Sequence, residues 1–391
     1  MAHANIRSLL DEVLATRGFN HPRIDISDIS SEGANYTSAL YTVTVKEDEE
    51  LKLFVKVAVV GEELRELMKA TTLYSTEQLV YTKLVNIFSA LEDKHGISGD
   101  DKYVFPEFIG CNPNVGEETV ILEDLIAKGY HVYSRFKSVD WEYASSAVKS
   151  LAKFHALSFA FQKDNPEEFN VVVEKFKYVN TDDSDDENLK GLWKKILEST
   201  VKVLKNDENK EKMLNFLMQP KAREDYMTFR RPLSVVVLAH GDYRTSNLLF
   251  KKDQNGTVKT VAVDYQTVHS GCPVVDLLYF IVTGTDEAFR REHYDQLVDL
   301  YHQELGLALN RMKMDVNEVY PRVVYEKELK EMMPCALRYA VVILPMVTVE
   351  VENAPQVAGA TGGDLFAVAP NELFAQRLNG IVGDFVRWGV L

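Results

Sequence analysis

The octet His240-Gly241-Asp242-Tyr243-Arg244-Thr245-Ser246-Asn247 is followed, twenty-two residues after Asp242, by Asp264-Tyr265-Gln266. A carboxylate with no second acid nearby in sequence can accept or orient the proton of an attacking hydroxyl. An amide and a further carboxylate, Asn247 and Asp264, supply the hard oxygens that magnesium prefers. Together they are the minimum equipment for phosphoryl transfer from a nucleotide. Taken alone, Asp242 and Asn247 serve equally well as turn residues bonded to their own backbone. The second carboxylate, at the end of a predicted hairpin, favours chemistry.

Apolar and β-branched runs frame these residues. Leu233 to Leu238 reads as a buried strand that delivers His240-Gly241-Asp242 at its end. Leu248-Leu249-Phe250 and Thr260-Val261-Ala262-Val263 read as two strands joined at Asn255-Gly256, a two-residue hairpin signal, which returns Asp264 to the side of Asn247.

A nucleotide site also needs a glycine-containing loop, a strand lysine and a helix glutamate upstream. Ser30 to Ser38 offers the loop, with Gly33, Asn35, Tyr36 and Ser38 as candidate nucleotide contacts; one glycine permits close approach but not a multi-glycine flap. Tyr41–Val45 and Leu51–Val57 alternate as strands across the acidic turn Glu47–Glu50. Lys52 and Lys56 share parity, and Lys56, between Val55 and Val57, is the better phosphate ligand because its apolar surroundings demand a partner. Leu73 to Phe88 carries a helical apolar face that includes Glu77, assigned here to Lys56; Glu62, Glu63 and Glu66 compete but cluster like a solvated face. Val120-Ile121-Leu122 then leads into Glu123-Asp124-Leu125, where Glu123 and Leu125 would offer backbone to an adenine edge.

With these residues laid out, the chain resembles the ecdysteroid kinase-like (CHK kinase-like) family, within the wider aminoglycoside phosphotransferase and choline kinase group. The resemblance runs through Gly33–Ser38, Lys56, Glu77 with Tyr81, Leu122–Leu125, Leu151-Ala152-Lys153-Phe154-His155-Ala156, His240-Gly241-Asp242 with Asn247, Asp264-Tyr265-Gln266, and Gly271 through Asp276 to Tyr279. It implies an α+β, protein-kinase-like bilobal fold, with an antiparallel sheet in a small N-lobe (1–122), a hinge (123–129) and a mainly helical C-lobe (130–391). It also implies ATP and Mg²⁺ as cofactors, Asp242 as base, Asn247 and Asp264 as metal ligands, Lys56 as phosphate ligand held by Glu77, and Asp276 as a structural tie on the catalytic loop. Characterised members phosphorylate ecdysteroids, typically at the 22-hydroxyl. Where the family often has tryptophan two residues after the catalytic aspartate, this chain has Arg244. Protein kinases carry a lysine there that touches the transferred phosphate, so Arg244 is a second catalytic candidate, placed to stabilise charge on the γ-phosphoryl group.

Composition limits the alternatives. The 391 residues are 46% hydrophobic, enough for a large core, and a net charge of −15 argues against nucleic acid or an anionic membrane as partner. Cys111, Cys272 and Cys335 are scattered without metal-ligand spacing, consistent with a reducing cytoplasm. Residues 1–14 look like an amphipathic helix and not a signal peptide, and the apolar run Tyr339–Val349 is too short for a membrane span and contains Pro345. The acidic run Thr181–Glu187 lacks the spacing of a calcium loop and reads as solvated.

Between His155 and the catalytic loop lies more chain than a connector needs, so a helical insert of about 157–232 is expected to wall the acceptor site. Its Phe159, Phe161, Phe169, Phe176, Tyr178, Trp193, Phe216, Tyr226 and Phe229 either line an apolar pocket or, as is commoner, form core. The acceptor expected is a hydroxylated small molecule, an ecdysteroid first. The competing readings are a choline- or aminoglycoside-like alcohol or xenobiotic, and a non-catalytic steroid-binding protein on the same fold.

Overall fold

The computed structural model describes residues 2–30, 38–176, 198–219, 229–354 and 368–391. Strands β1 (Arg23–Ile29), β2 (Ser38–Lys46), β3 (Glu50–Ala58), β4 (Phe108–Asn112) and β5 (Thr119–Glu123) form an antiparallel sheet in the order β1-β2-β3-β5-β4. Alternation divides its faces. Val43 and Val45, Leu53, Val55 and Val57, and Ile121 point to one side, where they bury Ile6, Leu10 and Leu14 of helix α1 (Ala2–Thr16). Residues of the other parity, among them Lys56, Val120 and Leu122, face the following helices.

Those helices are α2 (Glu62–Met68), α3 (Ala70–Leu79) and α4 (Val85–Lys94), the last two joined without a break by a π turn, Val80–Leu84. The helix expected over Leu73–Phe88 is therefore longer at both ends and carries an irregular turn that contains Tyr81. Such turns occur often at functional sites.

The C-terminal part is helical. Asp140 caps α5 (Trp141–Asp164) by accepting from the Tyr143 amide at 3.2 Å. Then come α6 (Pro166–Lys175), α7 (Asp207–Leu217), α8 (Val274–Gly284), α9 (Glu287–Arg311), α10 (Val316–Val319), α11 (Arg322–Thr348) and α12 (Glu372–Arg387). Every residue of α8 is buried, so this short apolar helix is the centre about which the others pack. The apolar run at Tyr339–Val349 is the end of α11. Among the described residues α11 alone is long and apolar enough to cross a membrane, and 72% of its apolar window is buried inside the protein.

Two small sheets carry the loops between the lobes: β7 (Val237–Ala239) pairs with β10 (His269–Gly271), and β6 (His131–Val132), β8 (Leu248–Lys252) and β9 (Val258–Ala262) form the other. Two expectations need correction here, and the choice left open for the aromatics of the insert falls on core. The strand over Leu233–Leu238 shrinks to Val237–Ala239, because the Ser234 amide donates to Glu328 of α11 at 2.7 Å instead of entering a ladder. The hairpin exists, but its loop has five residues. Lys252 faces Val258, and the Asp253 carboxylate accepts from the Asn255 and Thr257 amides, each at 2.9 Å, which wraps Asn255-Gly256 into a wider turn. The aromatics offered as an acceptor wall are core instead: Phe159, Phe161, Phe169, Phe176, Phe216 and Phe229 are all buried, whereas Tyr178, Trp193, Tyr226 and the acidic run lie outside the described residues.

The loop that carries His240 to Asn247 is hung from α8. Asp276, fully buried, accepts from the amides of His240 (2.7 Å) and Gly241 (2.9 Å) and from His155 Nε2 (3.1 Å), whose Nδ1 in turn meets the Tyr301 hydroxyl at 2.7 Å. Gly241 has φ +81°, and a Cβ there would lie 2.4 Å from the Thr267 carbonyl oxygen, so no other residue fits. Asp276→Ala would strand two buried amides and an imidazole, and is expected to cost about 3–5 kcal/mol. A urea-denaturation midpoint unchanged from wild type would contradict this. His269 donates from Nδ1 to the Thr267 carbonyl at 2.9 Å; burial, and then the charge of Arg230, press its pKa down to about 4. The unfolded chain therefore takes up a proton that the native one refuses. The contribution of His269 is complete above about pH 6.5, is lost as pH falls toward 4, and amounts to about 3 kcal/mol. His269→Gln should flatten the pH dependence of the denaturation midpoint over that window, measured between pH 7 and 4.

Candidate active site

At the lobe junction an ammonium sits between two carboxylates. Lys56 Nζ stands 2.5 Å from Asp264 Oδ1 and 3.0 Å from Glu77 Oε2, with the lysine side chain 7% and the glutamate side chain 2% exposed. Burial alone would pull the ammonium toward neutrality, but Asp264 and Glu77 overcome it and hold its pKa above the ordinary lysine value. Burial raises Glu77 to about 6 against the pull of Lys56. For Asp264 the same burial is outweighed by Lys56, and its carboxyl is held below the usual range. The two acids thus share one cation unequally, Asp264 being the nearer and the more firmly ionised. Glu62 is exposed, Glu66 stands 3.8 Å from Lys69, and Lys52 pairs with Glu50 at 3.3 Å.

Asp242 leaves the loop with its carboxylate held by three side-chain donors. Asn247 Nδ2 donates to its Oδ2 at 2.9 Å and to its backbone carbonyl at 3.0 Å. Arg244 Nε lies 3.0 Å from Oδ1 and 3.1 Å from Oδ2, and the Tyr279 hydroxyl donates to Oδ1 at 2.5 Å. Arg244, itself 9% exposed, is therefore first a partner of Asp242. His240 braces the loop as a neutral ring: Nε2 donates to the Val263 carbonyl at 3.1 Å, Nδ1 faces the Asp242 amide at 3.4 Å, and burial lowers its pKa.

Asn247 and Asp264 stand at the open end of the β8–β9 hairpin. The Val263 amide donates to the Asn247 carbonyl at 2.9 Å, one step beyond the paired Leu248 and Ala262. With its Nδ2 committed to Asp242, Asn247 has its amide oxygen to offer a ligand. Asp264 takes a left-handed backbone, φ 65° and ψ 61°, uncommon outside glycine but tolerated by aspartate. The next residue anchors it: Tyr265 meets the Tyr103 hydroxyl at 2.8 Å, and its ring packs edge-on against Tyr81 at 5.7 Å and beside His240 at 4.9 Å. One amide oxygen and one ionised carboxylate are a donor set that could hold a hard divalent cation.

The remaining candidates divide. Glu123 ends β5, where its carboxylate accepts from the Glu107 amide at 2.8 Å and pairs with Lys128. Leu125 is buried against Leu249 and Val261, and its carbonyl closes the turn by accepting from the amides of Lys128 and Tyr130. Ser38 opens β2 with its hydroxyl 2.8 Å from that of Tyr74. Gly33, Asn35 and Tyr36 lie outside the described residues.

Sequence reasoning missed two contacts, the direct pairing of Lys56 with Asp264 and the bond from Tyr279 to Asp242. The second had a signal. Asp276 and Tyr279 are three residues apart on a helix and so share a face.

A model of the family described as ecdysteroid kinase-like matches residues 32–314. A search of curated proteins gave no match. Among solved structures, a GDP complex of wild-type aminoglycoside 2'-phosphotransferase IIIa aligns with TM-score 0.48 and 11% identity over 98% of each chain. A GDP and kanamycin complex of the aminoglycoside 2''-phosphotransferase IIIa aligns with TM-score 0.42 and 12% identity over 84% of this chain and 97% of that one. A macrolide 2'-phosphotransferase from Brachybacterium faecium gives 0.37 and 13% over 93% and 98%. The family match spans well over half of the sequence and takes in Lys56, Glu77, Asp242, Asn247, Asp264 and Asp276: the chain belongs to the ecdysteroid kinase-like family, whose members are small-molecule phosphotransferases of the kinase-like group.

Proposed function

We propose that this protein transfers the γ-phosphate of ATP to a hydroxyl of a hydrophobic polyol, an ecdysteroid before others, and at its 22-hydroxyl. The observation that carries the reading is the convergence of Lys56, Glu77 and Asp264 on one side with Asp242 and Asn247 on the other, across the open end of a single hairpin. Lys56 binds phosphate oxygens, and Glu77 keeps it aimed when Asp264 turns away. Asn247 and Asp264 would hold Mg²⁺, which when bound supplies charge neutralisation for the nucleotide phosphates. Asp242 accepts a hydrogen bond from the acceptor hydroxyl and takes its proton as the new oxygen–phosphorus bond forms and the bond to the ADP oxygen breaks. Arg244 stabilises negative charge beside that carboxylate.

A cationic acceptor of the choline or aminoglycoside kind is disfavoured by the neighbourhood of Asp242. Arg244 occupies its flank, and Arg230 stands 5.1 Å over the ring of Tyr339, which packs against Tyr279 at 5.3 Å. The two guanidinium groups in that border set it against an ammonium, and its rings offer packing to a largely apolar skeleton. A non-catalytic steroid carrier is disfavoured because it would have no use for a lysine buried between two acids.

A transfer screen with labelled γ-phosphate across ecdysteroids, other sterols, choline and sugars should show phosphorylation of an ecdysteroid and none of choline; the reverse would reassign the acceptor. Asp242→Asn should lower turnover by about a hundredfold or more while ATP affinity changes little. Arg244→Ala should lower turnover more than it raises the KM for ATP, and an unchanged turnover would remove it from the site. In Asp264→Ala, calorimetry should find ATP affinity nearly the same with and without Mg²⁺; a retained metal dependence would contradict its ligand role.

A further inference from the structure

A carboxylate has about four lone-pair sites, and those of Asp242 face three protein donors. Arg244 Nε spans both oxygens, Asn247 Nδ2 takes Oδ2, and the Tyr279 hydroxyl takes Oδ1 at 2.5 Å. The tyrosine is the donor with the firmest mounting. It is 2% exposed, lies in α8, and its ring packs edge-on against Tyr339 of α11 at 5.3 Å and 67°. One turn earlier on the same helix, Asp276 holds the backbone amides of His240 and Gly241. A single buried helix thus fixes both the path of the catalytic loop and the rotamer of the side chain that leaves it.

We propose that Tyr279 is a positioning residue for phosphoryl transfer, its hydroxyl holding the Asp242 carboxylate so that a lone pair is turned toward the acceptor hydroxyl. The inference rests on the kinase reading above and adds a residue to it. Burial and then the charge of Asp242 keep the pKa of the Tyr279 hydroxyl well above the ordinary tyrosine value, so it remains a donor and does not compete as a base. Arg244 supplies charge to the same carboxylate, whereas Tyr279 supplies direction. Without that hydroxyl the carboxylate keeps Arg244 Nε and Asn247 Nδ2 but loses the donor mounted on the buried helix, and a misplacement of about 1 Å at a reacting centre can cost on the order of a hundredfold.

The test is Tyr279→Phe, which keeps the ring and its packing and removes only the hydroxyl. With the full chain, kcat for transfer should fall about tenfold to a hundredfold while the KM for ATP stays within about twofold and the thermal midpoint barely moves. Combined with Arg244→Ala, the loss should be smaller than the product of the two single losses, because both donors act on one carboxylate. In the ligand-free wild type, proton NMR should show an exchange-protected hydroxyl resonance far downfield, absent from Tyr279→Phe and shifted upfield in Asp242→Asn. A wild-type spectrum without that proton, or undiminished kcat in Tyr279→Phe beside an active wild type, overturns the role of Tyr279. A wild type that binds no ATP and phosphorylates no acceptor overturns instead the kinase reading on which that role rests.

Discussion

A carboxylate with no exposure to water, Asp276, holds the rest of the site in register. It accepts from two successive amides of the catalytic loop and from an imidazole that is braced by a tyrosine. Ionised groups at such depth persist only when they are paired and hydrogen-bonded, and burial here would raise the carboxyl's pKa were it not for His155 and the loop, which hold it down. Because α8 is buried along its whole length, the loop inherits the rigidity of the core. The left-handed turn at Gly241 and the neutral His240 bridge to Val263 then carry the chain from that anchor toward the hairpin.

The two lobes meet through charge and through rings. Lys56 reaches from β3 to Asp264, 208 residues later, while Tyr81 stacks on Phe108 of the sheet and meets Tyr265 of the catalytic half edge-on. An ion pair of this kind contributes little net stability, since desolvation offsets attraction, but it ties two bodies at one atom. The rings beside it, one pair stacked and one edge-on, spread the junction over a wider packed area.

Much of this was legible in the sequence for identifiable reasons. Parity within Leu51–Val57 put Lys52 and Lys56 on one face, and the apolar neighbours Val55 and Val57 singled out Lys56, because a buried ammonium needs acids around it. Helical spacing put Glu77 on the inner face, and the apolar runs around Asp242 and Asp264 marked a loop and a hairpin. What could not be read arises from side chains that reach across the chain. Asp253 bonds two amides and widens a turn whose Asn255-Gly256 dipeptide suggested the tightest form. Glu328 draws Ser234 away from a ladder. The short β4, with Gly110 lying against Val13 of α1, has too few residues to declare a period, and the aromatics of the insert are equally at home in a core or a pocket. The architecture described here is the α+β, two-lobed one implied by the family resemblance, with the sheet N-terminal and the helices C-terminal.

The tally of formal charge at the junction has a consequence for what can enter it. Among the described residues, the groups joined in ion pairs at the open end of the hairpin are two cations, Lys56 and Arg244, and three carboxylates, Glu77, Asp242 and Asp264, on a chain already at −15. On the proposed reading, a bare triphosphate approaching this mouth would meet more of its own sign than of the opposite one. A nucleotide arriving with part of its charge already neutralised would be admitted more easily, and could draw Asp264 off Lys56 by exchanging one partner for another. The site would act as an electrostatic turnstile, passing visitors according to the counterion they bring with them.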